Sequence, residues 1–290
     1  MKMWKQGIAC GVLAIMGASS ANAATLYNNW YYTIDNLSDG SGGSGYEYRG
    51  LAYTFASGQM VIAISGEMPV GGLGVGSAQN GAISNGDLFF NFTGGNLDTA
   101  AKFAQSQVFG VRFDPSNDSL NDPAGNATDP TTGVFKDITV QNMSSVNSGY
   151  SNLSDYVAAG FGRNTNAMGD LQSTTTDVYN YLGSGQMYSN LRSGTQIGSI
   201  TNLSNAQLTP MGLNFGYFGV DPGGANSIFG FSFNQSLLPA GQFTAHLLEE
   251  CINDGMAIRG SNVPEPGTIA MLGAGLMTAS SVLIRRRRRK

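Results

Sequence analysis

The sequence predicts an all-β fold, an antiparallel β-sandwich of jelly-roll-like connectivity, and three observations predict it. Short stretches alternate apolar with small or polar residues at period two. Gly, Asn, Ser and Thr punctuate them at intervals that suit tight turns. Nowhere does a strand pattern alternate with helical patterns of the length that a parallel sheet needs.

Taken in order, strands are expected at 29–35, 46–56, 59–65 and 87–93. Asn80-Gly81 and Asn85-Gly86 offer positive-φ turn positions between the last two. Phe109, Val111 and Phe113 then alternate with Val108, Gly110 and Arg112, and 134–142, 197–202 and 242–251 are further candidates. Met211, Leu213, Phe215 and Tyr217 share one predicted strand face, as do Phe229, Phe231 and Phe233. Such patterns place one face on a core and the other toward water or a second layer. Two short helices are expected, at 98–107 with Asp98 as N-cap and at 170–182. Long polar loops fill 114–133 and 143–175. The Gly/Ser run at 38–45 lies too near the start to separate domains, and no internal repeat is visible.

Both ends of the chain read as targeting segments. Lys2 and Lys5, an apolar stretch at 7–17, and Ala21 and Ala23 at the −3 and −1 positions make a signal peptide for the Sec translocon, cut after Ala23. Cys10 lies inside the apolar stretch, away from the cleavage site, so a lipoprotein reading fails. At the other end, 263–267 holds Pro264, Glu265 and Pro266. An uncharged run at 268–284 follows, then Arg285, Arg286, Arg287, Arg288, Arg289 and Lys290. As a helix the run spans roughly 25 Å, enough for a membrane with snorkelling flanks, and the arginines hold its end in the cytoplasm. Proline fixes φ and keeps its predecessor out of the helical region, so Glu265 is presented in an extended peptide outside the bilayer. The exported domain is thus 24–262.

The C-terminal pattern resembles the PEP-CTERM sorting signal of Gram-negative bacteria. The resemblance implies a transient inner-membrane anchor, recognition of Pro264, Glu265 and Pro266 by exosortase, and delivery to the cell surface or beyond. Parts of the body, Tyr46 to Gly50, Gly86 to Phe92, and Cys251, Ile252, Asn253 and Asp254, resemble a group of exosortase-dependent surface proteins. That likeness extends over most of 30–260. The group closes its domain with a His-containing strand and a Cys-x-Asn-Asp turn, and has no assigned catalytic residues to carry over.

Charge narrows the function classes. Of fifteen basic and nineteen acidic side chains, the two terminal segments hold eight and one, so the exported body keeps seven against eighteen, a net charge of −11. Nucleic-acid binding needs clustered Lys and Arg to displace counterions, and none are present. With Cys10 removed, Cys251 has no partner for an intramolecular disulfide and is expected as a buried apolar residue.

Catalytic constellations are sparse. His246 is the sole histidine, and no Gly-x-Ser-x-Gly elbow exists. In a continuous strand His246 and Cys251 would point to opposite faces about 16 Å apart, which rules out a dyad or shared metal shell. The glycines at 71–76 lack a phosphate-loop pattern. Glu47, Glu67, Glu249 and Glu250 are available carboxylates, but nothing in the sequence pairs them. The loop with Asp114, Asn117, Asp118, Asn121, Asp122, Asn126 and Asp129 is rich enough in oxygen for a structural Ca²⁺. It lacks the EF-hand spacing, and solvated turn residues explain it equally well. The leading expectation is a non-enzymatic surface or matrix protein, without cofactor, acting in biofilm or exopolysaccharide. The alternatives are a carbohydrate-binding module using Trp30, Tyr31, Tyr32, Tyr46, Tyr48, Tyr179, Tyr181 or Tyr188, and a secreted hydrolase.

Overall fold

A computed structural model describes residues 24–35, 45–121, 129–159, 168–171, 175–219 and 228–262. Two six-stranded antiparallel sheets stack face to face, as the alternation predicts. The first begins as a meander of β1 (Thr25–Tyr27), β2 (Trp30–Ile34), β3 (Tyr48–Ala56) and β4 (Gln59–Gly66). A small hairpin of β5 (Leu73–Gly74) and β6 (Ala82–Ile83) leads to the second sheet. That sheet begins with β7 (Leu88–Asn91), β8 (Val108–Arg112), β9 (Gly133–Gln141) and β10 (Asn190–Gly198). The remaining strands complete both sheets as hairpins. β11 (Thr201–Ser204) and β12 (Ile228–Asn234) dock with β12 beside β4, while β13 (Gly241–Leu248) and β14 (Gly255–Asn262) dock with β13 beside β7. β13 thereby returns to the first strand of its own meander, a Greek-key placement.

The period-two pattern settles which side chains meet between the sheets. Met60, Ile62 and Ile64 of β4 and Phe229, Phe231 and Phe233 of β12 face Phe90 of β7, Phe109 and Val111 of β8, and Phe243 and Leu247 of β13. Phe231 stacks on Phe113 at a centroid distance of 5.0 Å, directly across the sandwich. The outward faces are also apolar, because each is covered by a further layer. Trp30, Tyr32, Val61 and Ala63 pack under Leu208, Leu213 and Phe215. Phe89, Val108, Ile138 and Ala257 pack under Phe103, Leu153, Val178 and Leu182. Those last four come from α1 (Ala100–Phe103), α2 (Leu153–Ala159) and α3 (Thr175–Leu182); Leu208 ends α4 (Asn205–Leu208).

The structure departs from the sequence reading in several places. Residues 209–218 are two 3₁₀ turns instead of a strand, because Pro210 starts the first and Gly212 and Gly219 end them in the left-handed region at φ +93° and +74°. Leu213 and Phe215 still reach the core, whereas Tyr217 is exposed. The predicted strand at 197–202 is divided between β10 and β11 by a turn. The helix expected over 98–107 is one turn long with Thr99 at its N-cap, and Asp98 pairs with Lys102 at 2.7 Å instead. Gly86 is not a left-handed turn residue. A Cβ there would come within 2.4 Å of the carbonyls of Leu248 and Ser189, so its role is close packing.

Truncating Phe231 to alanine removes a ring that touches both sheets. Urea unfolding of Phe231→Ala should show a loss of about 3–5 kcal/mol with an unchanged m-value.

Candidate functional site

Polar side chains of very low exposure concentrate at one end of the sandwich. Glu47, Asp87, Arg112, Asp114, Asp118, Glu249, Glu250 and Asp254 are all fully buried. Most stand where a strand starts or stops: Glu47 before β3, Asp87 before β7, Arg112 closing β8, and 249–254 in the turn between β13 and β14; Asp114 and Asp118 lie in the loop after β8. The ribbon of β9 and β10 is bulged at three places. It returns Leu191 onto Gly110, where a Cβ would lie 2.7 Å from the leucine side chain. This brings Asn190 and the Leu191 amide to the same end.

Arg112 is the cation of this cluster, and it makes its contacts through neutral groups. Its Nε donates to Asn117 Oδ1 at 2.8 Å, and its Nη atoms donate to the carbonyls of Asn117, Thr131, Pro115 and Asp129. Asn117 Nδ2 in turn donates to Asp87 Oδ1 at 2.9 Å. Asp87 Oδ2 accepts from Ser119 Oγ at 2.5 Å and the Leu191 amide at 2.6 Å. Glu250 accepts from the amides of Asp118 and Ser84 and from Asn190 Nδ2. Tyr48 joins the two sheets, its amide donating to Asp254 Oδ2 at 2.6 Å and its hydroxyl to Asn85 Oδ1 at 2.9 Å.

Burial dominates the electrostatics. It raises Asp87 to about 6 against the opposing pull of its hydrogen bonds and Arg112, and raises Glu250 to about 8, with Asp118 adding to the rise. Glu249 is pushed well up by burial, and the neighbouring Glu47 pushes the same way. These carboxyls are shielded from solvent and held partly protonated, which suits a sealed core better than a cleft.

The residues singled out in the sequence separate into distinct places. Asp114 accepts from the amides of Gly71 and Ser116, each at 2.9 Å, while Asp118 Oδ2 accepts from Asn147 Nδ2 at 3.1 Å. The two aspartates are thus turned to different partners, and Asp122 lies outside the described residues. Among the described residues no group of three His, Cys, Asp or Glu side chains is arranged to hold a metal. His246 sits on the outward face of β13 among Phe89, Phe103 and Tyr181, and its Nδ1 lies 3.2 Å from the Tyr181 hydroxyl. Burial lowers it to about 3, so it is neutral. Cys251 is buried in a different cluster with Met68 and Ile83, and its thiol donates to Glu249 Oε2 at 3.4 Å. It occupies a turn rather than a strand. Glu67 pairs with Arg49 at 2.5 Å. Of the aromatic candidates, Trp30, Tyr32, Tyr48 and Tyr181 are core residues, and Tyr31 stacks on Tyr53. Arg112, the centre of the network, read in the sequence only as a polar residue in an alternating strand; an arginine on a strand between Gly110 and Asp114 was the available signal.

The last strand leads directly to the C-terminal segment. β14 is a sheet edge, yet its outward amides have partners. Ala257 N donates to Met168 O at 3.2 Å, Arg259 N to Asp170 Oδ2 at 2.8 Å, and Ser261 N to the Tyr53 hydroxyl at 3.3 Å. Asn262, buried at the end, donates through Nδ2 to Pro239 O at 2.8 Å and Leu238 O at 3.1 Å. Residues 262–289 match the model of the PEP-CTERM protein-sorting motif. The chain carries a PEP-CTERM sorting motif. This motif indicates export to the cell surface or the extracellular space, and processing by exosortase. No curated protein and no solved structure matches the chain.

The PEP-CTERM motif therefore starts on the residue that locks β14, and only Val263 separates the lock from Pro264. Its residues Pro264, Glu265, Pro266 and Arg285 to Arg289, like Ala21 and Ala23 and the uncharged run at 268–284, lie outside the described residues.

Two measurements test this end of the molecule. Raised acids bind protons in the native state that the unfolded chain has released, so stability is greatest at low pH and is lost as pH rises through the folded value. Above about pH 7.5 the unfolded imidazole of His246 and the native Asp87 carboxyl have both nearly finished titrating. Stability there should fall with a slope of up to roughly 1.4 kcal/mol per pH unit from Glu250, with Glu249 adding in the same direction, and Glu250→Gln should flatten that slope. Asn262→Ala leaves buried carbonyls without their donor. Hydrogen exchange at Ser261 and Arg259 should accelerate while the amides of β12 stay protected.

Proposed function

We propose that this chain is a non-enzymatic component of the bacterial surface or extracellular matrix. It enters the Sec pathway by its signal peptide, is held briefly in the inner membrane by its tail, is released by exosortase, and works beside exopolysaccharide in a biofilm. The observation that carries this reading is the junction at Asn262. A closed β-sandwich ends on a locked strand, and the recognised peptide follows without a linker. That order suits a finished, folded cargo presented to a membrane enzyme by its tail.

Three features support the absence of catalysis. Asp87, Glu249 and Glu250 are buried and raised, His246 is a neutral core residue, and Cys251 is packed against apolar neighbours. The oxygens of Asp114 and Asp118 already serve amide donors, which favours a polar loop over a calcium site. The turn at 251–254, which closes β13 against β14, agrees with the likeness of the body to exosortase-dependent surface proteins.

The test is the intact mass of protein recovered from the surface or medium of its host, compared with Glu265→Ala. Loss of residues 1–23 and of the segment beyond Pro-Glu-Pro is expected, with the variant retained in the inner membrane. An unprocessed C-terminus in both forms would make the tail a permanent anchor and overturn the release step.

A further inference from the structure

One face of the first sheet carries an exposed aromatic stack. Tyr217 is 60% exposed, the most exposed of the large hydrophobic side chains among the described residues. Tyr217 stacks on the half-buried Tyr27, with ring centroids 3.7 Å apart and planes 10° from parallel. Phe218 meets both rings edge-on, at 5.1 Å and 6.2 Å. One face of Tyr217 is thus occupied, and the stack holds the other open to solvent.

The platform is fixed from beneath. Trp30 Nε1 donates to Met211 O at 2.9 Å, the Asn214 amide donates to the Tyr32 hydroxyl at 2.9 Å, and the Tyr217 amide donates to Asn214 Oδ1 at 3.1 Å. Asn28 and Asn29 turn the chain between β1 and β2 in the left-handed region, at φ +49° and +65°. Asn28, Asn29 and Asn214 are exposed residues of the turns that carry Tyr27 and Tyr217, and Asn28 O lies next to Gly212. A rigid ring with adjacent amides supplies contact area at small entropic cost.

Charge identifies the occupant. Residues 24–34 and 201–219, which build this face, contain no Asp, Glu, Lys or Arg, although the exported body as a whole is strongly acidic. An ionic partner finds nothing here to pair with. A neutral sugar ring does, because its C–H face lies against the aromatic face and its hydroxyls bond to amides. We propose that the Tyr217 face, backed by Tyr27 and rimmed by Asn28, Asn29 and Asn214, binds a neutral polysaccharide. This rests on the surface-protein reading above and names its partner.

Processed protein recovered from its host would be run by affinity electrophoresis in gels cast with a neutral β-glucan, a neutral galactomannan, or alginate as the polyanion. At least one neutral polymer should retard it, and should still do so at roughly 0.5 M salt, where charge attraction is screened within a few ångströms. Tyr217→Ala should weaken binding about tenfold or more, and Tyr217→Phe, which keeps the ring face, should stay within about twofold of the parent. Because Tyr217 is exposed, unchanged thermal unfolding of both variants separates lost binding from lost folding. Retardation by neither neutral polymer, retardation by alginate alone, or equal binding by Tyr217→Ala would each overturn the site. Self-association abolished by Tyr217→Ala, without retardation by a neutral glycan, would assign the face to a second copy and overturn it as well. Intact mass on the same samples reads the sorting step independently, so a correctly processed protein that ignores neutral glycans overturns the glycan site alone.

Discussion

Burying eight ionisable side chains at one end of a sandwich imposes the constraint around which the rest of the structure is arranged. A carboxylate taken from water needs a countercharge, several donors, or a proton. The chain uses all three. Arg112 supplies the countercharge, acting at a distance on Asp87, Asp114 and Glu250. The amides of Gly71, Ser84, Ser116, Asp118 and Leu191, with the side-chain amides of Asn117 and Asn190, supply donors. Where donors run short, as at Glu249, burial favours the protonated acid. These donors come from loops far apart in sequence. Closing the network therefore fixes the β5–β6 hairpin, the 114–121 loop, the start of β10 and the β13–β14 turn together. Few other interactions here join so many segments, and a guanidinium is suited to the task because its donors fan out in one plane.

The second organising feature is burial on both faces of both sheets. Alternating strands usually leave one face for water, but here the outer faces carry Trp30, Tyr32 and Val61 on one side and Phe89, Ile138 and Ala257 on the other. Short helices and 3₁₀ turns cover them. Such layers need very close approach in places. Gly230 lies where a Cβ would be 2.1 Å from Ile62 O, and Gly260 where it would be 2.5 Å from the Tyr53 hydroxyl. At these positions glycine is required by space and not by a left-handed backbone.

What could be read from the sequence follows the range of the interactions. The sandwich was legible because period two is local: Phe229, Phe231 and Phe233 point inward as their spacing dictates. The sorting motif was legible because its parts are contiguous. β10 and β14 were missed because their sequences, rich in Ser, Gly and Thr or interrupted by Arg259, lack clean alternation; packing and pairing impose the strand. Met211 to Tyr217 imitated a strand through an alternation whose glycines were in fact turn residues. The carboxylate network was almost invisible. Glu47, Glu249 and Glu250 were noted, but their convergence with Asp87 and Arg112 depends on contacts spanning up to 166 residues. The same holds for the Tyr27–Tyr217 stack, whose partners lie in segments that alternation alone could not bring together.

The two ends of the body carry different kinds of order, and the difference bears on how the molecule is delivered. At the exit strand β14, the outward amides of Ala257, Arg259 and Ser261 are taken by Met168 O, the Asp170 carboxylate and the Tyr53 hydroxyl. A sheet edge is normally open to pairing with another chain. Closing this one leaves the strand next to the sorting motif few free amides with which to pair a neighbouring chain. β1, at the edge of the other sheet, is three residues long and carries the exposed Leu26 and the half-buried Tyr27. The edge that leads to the sorting motif is thus closed, while the exposed aromatic stack lies at β1 of the other sheet. The acidic charge of the body, absent from that neutral face, keeps the rest of the molecule apart from anionic membranes and from its own copies.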